Sequence, residues 1–285
     1  MTTGANLSPG FADTRGMPIA RRFYWGRWLA AALIVVMLAF LVRAFAQGQI
    51  DWSVVGQFFT APAILRGIVN TVVMAVLAMT LGIILGVIVA IMRLSSNPVL
   101  VGVAAGYAWL FRGTPLILQL LLWFNIALVF PTIGIPGLWE GRAVDVMTPF
   151  TAALLGLSLN QGAYTSEVIR AGIISVDEGQ HDAASAIGMS KLRTLRRIVL
   201  PQAMKVVLPP LGNEFISMVK MTSLASVIQY PEVLHSAENV YYANSRVIEL
   251  LFVAGIWYLI VVSILTPMQM LLERRFSRGT ARRTR

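Results

Sequence analysis

No Asp, Glu, Lys or Arg occurs in residues 28–42, 67–92, 113–139, 146–166 or 250–272, nor in a shorter run at 94–111. A helix needs roughly 20 largely apolar residues to cross the hydrocarbon core of a bilayer, so most of these runs are long enough to span it. The stretch from Leu200 to Ile228 is also apolar but is interrupted by Lys205, Glu214 and Lys220. Lipid offers the backbone no hydrogen-bond partner, so a chain of this pattern must satisfy its peptide groups within helices. The pattern predicts an all-α, polytopic membrane protein with about six transmembrane helices, near 28–46, 66–92, 113–131, 148–169, 202–228 and 249–272. Residues 98–111 are expected to form an interfacial or partly inserted helix leading to the third span. Composition agrees: 13% of residues are charged, against about 25% in a soluble domain.

The net charge of +10 would suit a nucleic-acid binder, but its distribution points to membrane lipid as the partner and to no nucleic acid. Lys and Arg cluster beside the apolar runs, where they anchor to anionic headgroups and set orientation. One side holds Arg15, Arg21, Arg22 and Arg27 before the first span, Arg93, five basic residues between 170 and 200, and six arginines after Glu273. The opposite loops, 47–65, 132–147 and 229–248, hold only Arg142 and Arg246. This bias predicts a multi-pass membrane protein with both termini in the cytoplasm. The expected organisation is a cytoplasmic, partly disordered segment 1–27, an anchor helix 28–46, a transmembrane domain over 60–272 and a basic cytoplasmic tail 273–285.

Arg21-Arg22, the apolar run after them and Ala44-Phe45-Ala46 imitate a secretory signal with its cleavage site. Arg43, immediately before that site, is atypical of such signals, and an uncleaved anchor is the preferred reading. No internal repeat is visible, so the twofold symmetry of a transport pathway would have to come from a second subunit.

Between the fourth and fifth spans lies RAGIISVDEGQHDAASAIGMSKLRTLRRIVLP, residues 170–201. Ser175 and Glu178 fit a capping box, with Ser175 as the N-cap. The helix so opened is expected to run to about Ile187 and to close on a left-handed Gly188. Val176, Ala183, Ala184 and Ile187 are expected on one narrow face of small side chains, able to enter another protein's groove. Ser190 is expected to cap a second, basic helix from Lys191 to Arg197, followed by Leu200-Pro201 where the chain meets the membrane.

With Asp182-Ala183-Ala184, Gly188 and Leu200-Pro201, this loop resembles the cytoplasmic "EAA" loop of bacterial ATP-binding-cassette (ABC) importer permeases, with Asp in place of the family's Glu. Arg112-Gly113-Thr114-Pro115 resembles the "RGTP" motif of the polar amino-acid branch of that family. The stretch NQGAYTSEVIRAG, with Asn160, Tyr164, Glu167 and Arg170, is similar to the branch's fourth span, and residues 201–228 to its next. The similarity covers roughly 60–272. It implies an ABC importer type I permease fold and a transport subunit that moves polar amino acids across the inner membrane. It also implies a second permease subunit, same or homologous, ABC ATPase subunits docked on Asp182, Ala183, Ala184, Gly188, Leu200 and Pro201, and a periplasmic substrate-binding protein. A permease for another small solute (an osmolyte or peptide), an ATP-independent channel and a membrane enzyme are the alternatives.

Catalytic chemistry is not visible. No Gly-Lys dipeptide occurs, which excludes a phosphate-binding loop of the G-x-x-x-x-G-K-[ST] type, so ATP hydrolysis is expected from a separate chain. There is no cysteine, and neither His181 nor His235 has a metal-ligand companion at useful spacing; no metal and no cofactor is expected. Pro209-Pro210 removes two backbone donors from the fifth span. Polar groups at depth are costly and face an interior. Asn160, Glu167, Asn213, Glu214, Lys220, Thr222 and Ser223 are therefore the expected substrate-pathway residues, able as a group to meet an α-carboxylate and an α-ammonium. The plainer alternative pairs Glu167 with Arg170 at i,i+3. Arg112 is expected near the headgroups, fixing a turn with Pro115.

Overall fold

The computed structural model describes residues 24–135, 137 and 139–276. Arg15, Arg21 and Arg22, most of the expected N-terminal segment, and the tail arginines from Arg278 onward lie outside the described residues. Helix α1 (Trp25–Gln47) belongs to one compact unit, which ends at Ile50. It is apolar on all sides, as a helix surrounded by lipid should be. Everything from Asp51 onward forms a second unit.

That unit begins with a short helix α2 (Trp52–Phe59), capped by Asp51, whose carboxylate accepts from Ser53 N at 3.1 Å. Then comes α3 (Pro62–Arg93), 32 residues long with proline in its first turn, where a missing N–H costs nothing. Helices α4 (Pro98–Gly113) and α5 (Leu116–Phe124) follow, then a 3-10 turn at Ile126–Leu128. An antiparallel hairpin, β1 (Thr132–Ile135) with β2 (Trp139–Arg142), leads through α6 (Ala143–Val146) into α7 (Pro149–Ile174). Helices α8 (Glu178–Ala186) and α9 (Lys191–Thr194), a π-helical turn Leu195–Val199 and α10 (Leu200–Met221) come next. A 3-10 segment Thr222–Ile228, α11 (Val233–Asn244) and α12 (Val247–Phe276) complete the described chain.

Among the described residues, α1, α3 and α12 are long and apolar enough to cross a membrane as single helices. Helices α7 and α10 reach roughly 39 and 33 Å at 1.5 Å per residue, but both carry internal polar side chains. The third span differs from expectation. Instead of one helix over 113–131, α4 and α5 form a pair bent by 101°, and α5 reaches only about 13 Å. Pro115 is the cause: it lacks an N–H and drives Thr114 into an extended conformation (φ −113°, ψ 145°), which ends α4. The hairpin and α11 were also not anticipated.

Helices α3 and α7 run parallel and approach closely. A Cβ on Gly82 would fall 2.7 Å from the Gln161 side chain, and one on Gly86 would fall 2.6 Å from that of Thr165. Lipid supplies no hydrophobic drive between helices, so such small-residue contacts, spaced four apart, hold them by close packing. The main core gathers Met74, Ala75 and Ala78 of α3, Leu116 and Leu120 of α5, Leu157 of α7 and Met218 of α10. A second core joins Val55, Ile64, Val233, Ala237, Leu250 and Val253 of α2, α3, α11 and α12. There Trp257 Nε1 donates to Phe59 O at 2.9 Å while their rings stack.

Helix α10 runs unbroken through Pro209 and Pro210. The loop before it corrects two expectations. The N-cap of α8 is Asp177, accepting from Gly179 N at 2.8 Å, not Ser175. Ser175 instead ends α7, its hydroxyl donating to Gly172 O at 2.7 Å. Ser190 precedes α9 without a side-chain cap bond, and the basic segment is not a separate helix but continues through the π turn into α10. Gly188 does take the left-handed conformation, φ +75°. Around it Gly188 N donates to Ser185 O and Met189 N to Ala184 O, both at 3.0 Å, the paired bonds of a Schellman closure.

Candidate functional site

The break between α4 and α5 strands the carbonyls at the end of α4. Polar side chains collect there to satisfy them. Gln119 Nε2 lies within hydrogen-bond distance of Phe111 O, Thr114 O and Thr114 Oγ1 at 2.8–3.1 Å. Asn160 Nδ2 donates to Phe111 O at 2.8 Å. Non-helical backbone at membrane depth is tolerated where protein supplies such partners or a cavity adjoins it. Here both hold. Beneath the break lies a cavity of about 520 Å³, lined by Arg112 to Leu116 of the break, by Asn160, Gln161 and Tyr164 of α7, and by Glu214, Ser217 and Met221 of α10.

The cavity carries charge of both signs. Glu214 Oε2 accepts from Gln161 Nε2 at 2.6 Å and from Thr165 Oγ1 at 3.1 Å. No described residue bonds its other carboxylate oxygen. Arg112 supplies the positive charge. Its guanidinium lies 5.5 Å from the Tyr164 ring centroid, a cation–π distance, and its Nη1 is 3.5 Å from Glu167 Oε1.

Glu167 itself is the hub of an ion cluster. Arg93 of α3 approaches at 3.0 Å and Arg170 at 2.8 Å, in addition to Arg112. The i,i+3 pairing with Arg170 is thus present, and two further arginines join it. The cluster ties the ends of α3, α4 and α7 together, and its Arg93, Arg112 and Glu167 line a second cavity with Tyr164 and Trp109.

Of the seven expected pathway residues, only Asn160 and Glu214 line the larger cavity. Asn213 is exposed on α10, with Nδ2 3.4 Å from Pro209 O and 3.5 Å from Glu273 Oε1. Lys220 is exposed, and no described residue pairs with its ammonium group. Thr222 is buried and donates to Val219 O at 2.7 Å, and Ser223 donates to Lys220 O at 2.7 Å. Sequence reasoning missed Gln161 and Thr165. Their one mark in the sequence is that they are polar residues four apart in an uncharged run; their partner Glu214 lies on the next span. Arg112, expected near the headgroups, lines the cavity.

The expected docking residues lie on and after α8. Asp182 and Ala183 are exposed, and Pro201 is exposed in the first turn of α10 beside Leu200. Ala184 is not on the outward face: it is only 1% exposed. The expected single face of Val176, Ala183, Ala184 and Ile187 therefore divides, with Val176 and Ala184 inward and Ala183 and Ile187 outward.

Residues 82–278 match the family model described as "binding-protein-dependent transport system inner membrane component". An arginine transport system permease protein of Corynebacterium glutamicum is 39% identical over 282 residues, covering 97% of this chain and 89% of that protein. An L-cystine transport system permease protein of Bacillus subtilis is 38% identical over 234 residues, covering 82% and 94%. A crystal structure of an amino acid ABC transporter with histidines matches with TM-score 0.70 at 33% identity, over 80% of this chain and 100% of that one.

Proposed function

Because this chain belongs to the family of binding-protein-dependent transport system inner membrane components, as a permease subunit of the amino-acid ABC transporters, we propose that it carries a polar amino acid through the cavity between α4, α7 and α10. The observation that carries this reading is the pair Arg112 and Glu214 on the walls of one cavity. An amino acid presents a carboxylate and an ammonium a few ångströms apart, and these walls offer a complementary guanidinium and carboxylate. The unbonded oxygen of Glu214 suits an α-ammonium or a cationic side chain, and Arg112 suits the α-carboxylate in a bidentate pair. The relatives named for arginine and L-cystine support an amino-acid substrate.

The rest of the assembly is part of the same proposal. Permeases of this family work with ATPase and substrate-binding partners, and a separate chain is the source of ATP hydrolysis here. The basic bias of the loops supports cytoplasmic termini and puts α8 on the cytoplasmic side. There Asp182, Ala183, Gly188, Leu200 and Pro201 form the ATPase-docking surface, with Ala184 setting the seat of α8 against its own chain. Asn213, Ser217 and Lys220 follow one another at i, i+4 and i+7 along the exposed face of α10. A lysine in mid-membrane lipid costs several kcal/mol, so this stripe faces a second permease subunit across the pathway. ATP-driven closure would move α8 as a lever and rock the helices about the cavity between outward- and inward-facing states.

Uptake of radiolabelled amino acids into vesicles holding the reconstituted complex tests the reading. Competition should be strong for amino acids with free α-carboxylate and α-ammonium groups, and absent for their amidated or acetylated forms. Equal uptake of uncharged or acetylated solutes would defeat it.

A further inference from the structure

We propose that the cleft formed by Ser190, Leu192, Arg193, Arg196 and Arg197 binds the phosphate of an anionic membrane lipid. The cleft has a volume of about 490 Å³ and is lined by these five residues. It does not depend on what the chain transports, only on α10 spanning the membrane.

Four observations carry the assignment. The first is charge without a partner. Arg93, Arg112, Arg142, Arg170 and Arg246 all lie within ion-pair distance of carboxylates. No described residue offers one to Arg193, Arg196 or Arg197, although Glu178 and Asp182 lie on the preceding helix and Asp177 caps it. Three arginines without a described ion-pair partner therefore line one concavity.

The second is a spare hydroxyl. Ser190 stands at the N-cap position of α9 but makes no side-chain cap bond, so its hydroxyl is available at the rim of the same cleft. Guanidinium forks and a hydroxyl are a donor set matched to phosphate oxygens.

The third is place. The π turn Leu195–Val199 runs directly into α10, with Val199 buried against Val176 and Ala203. The cleft thus sits at the start of α10, and with α10 spanning the membrane that end meets the headgroups. Basic pockets at such positions attract anionic headgroups. π turns within helices also recur at functional sites.

The fourth decides between lipid and protein. Leu192 and Leu195, outside the residues assigned to the ATPase-docking surface, are 67% and 37% exposed on the same segment. Basic side chains set beside exposed leucines suit the boundary between headgroups and acyl chains. An acidic protein surface would match the arginines and leave the leucines unmatched.

The test uses the full chain, purified with its co-purifying subunits, and counts retained lipid by native mass spectrometry. The probes are phosphatidylglycerol, phosphatidylcholine and inorganic phosphate at equal concentration. The wild type should retain phosphatidylglycerol well above phosphatidylcholine. Arg193→Gln, Arg196→Gln and Arg197→Gln should each weaken that retention by about fivefold, and the triple variant should abolish the preference. Replacing all three by Lys, which keeps charge without the fork, should fall between. Should the triple variant elute aggregated, the single substitutions read the same effect. Equal retention by wild type and variants would overturn the proposal, as would inorganic phosphate binding as tightly as the lipid. Loss of the ATPase from the triple variant with lipid retention unchanged would assign the cleft to the protein partner instead.

Discussion

The side-chain amide of Gln161 donates a 2.6 Å hydrogen bond to Glu214 Oε2, tying α7 to α10 at the wall of the cavity. Thr165 donates to the same oxygen, so one oxygen of the carboxylate is fixed and the other has no described partner, on a residue that lines the cavity.

Glu214→Gln keeps the size of the side chain and removes its charge. Losing a charge-assisted bond to an ammonium costs roughly 1.5–3 kcal/mol, so uptake at low substrate concentration should fall at least tenfold. The amount of inserted protein should stay similar, because Gln161 can turn its amide to bond the new side chain. Unchanged uptake with Glu214→Gln would remove this residue from the pathway.

Arg112 makes a parallel case. Arg112→Lys preserves charge but loses the planar fork and much of the contact with Tyr164. It should raise the substrate concentration needed for half-maximal uptake while leaving the complex intact on size exclusion. An unaltered concentration dependence would mean that Arg112 serves only Glu167.

What the sequence made legible, and what it hid, follows from particular residues. The long apolar runs of α3 and α12 could be read directly, and so could Gly188, whose place after a helical pattern calls for a left-handed turn. The start of α8 was hidden because two cap patterns overlap: Ser175 precedes Glu178 by three residues, as Asp177 precedes Gln180. α7 runs on to Ile174 and takes Ser175 as its own end, leaving Asp177 to the next helix. The third span misled because 113–139 is uncharged throughout. Hydropathy cannot distinguish a membrane span from a bent pair followed by a hairpin, and Pro115 was the only local mark of the bend. In the site, charged residues stood out against the apolar background. The neutral donors Gln161 and Thr165 did not, since their role depends on α10 lying beside α7.

The close approach of α3 and α7 gives a stability prediction. Gly86→Leu would place its side chain against Thr165, and overpacking of this kind costs about 1–3 kcal/mol. The melting temperature in detergent should fall by several degrees. Gly102→Leu on α4, with nothing within 4 Å of its Cβ, should melt like the wild type. Equal melting of the two variants would contradict the α3–α7 contact.

Outside the spans, Glu232 caps α11. Its carboxylate is buried, accepts from His235 N at 2.7 Å and Leu234 N at 2.8 Å, and bonds the Tyr258 hydroxyl. Burial, only partly offset by these donors, raises its pKa above the ordinary glutamate value. The folded state then holds its proton more tightly than the unfolded state. This residue's contribution to stability therefore falls as pH rises from the ordinary glutamate value through the raised one. Thermal melting between mildly acidic and neutral pH should show this slope in the wild type and lose it in Glu232→Gln. An identical slope in both would mean that another group titrates there.

The proposed lever, α8, allows docking to be separated from packing. Ala183 points outward while Ala184 is buried, so a bulky residue at each should fail differently. Ala183→Trp should leave the melting temperature unchanged and lose the ATPase on purification, because only the docking face changes. Ala184→Trp must overpack this chain itself, at about 1–3 kcal/mol, and should lower stability as well as coupling. Gly188→Val separates a third effect. Space is available, since a Cβ there would meet nothing within 4 Å, but its φ of +75° puts a β-branched residue in the left-handed region, at about 1–2 kcal/mol. The Schellman bonds from Gly188 and Met189 would then loosen and the basic segment after them would be misdirected. This variant should keep the spans inserted but hydrolyse ATP without proportionate uptake. The measurements are ATPase retention on the purified complex, melting temperature, and uptake per ATP in vesicles. If Ala183→Trp and Gly188→Val match the wild type in all three, the segment from Asp177 to Pro201 only connects two spans, and coupling runs through another surface.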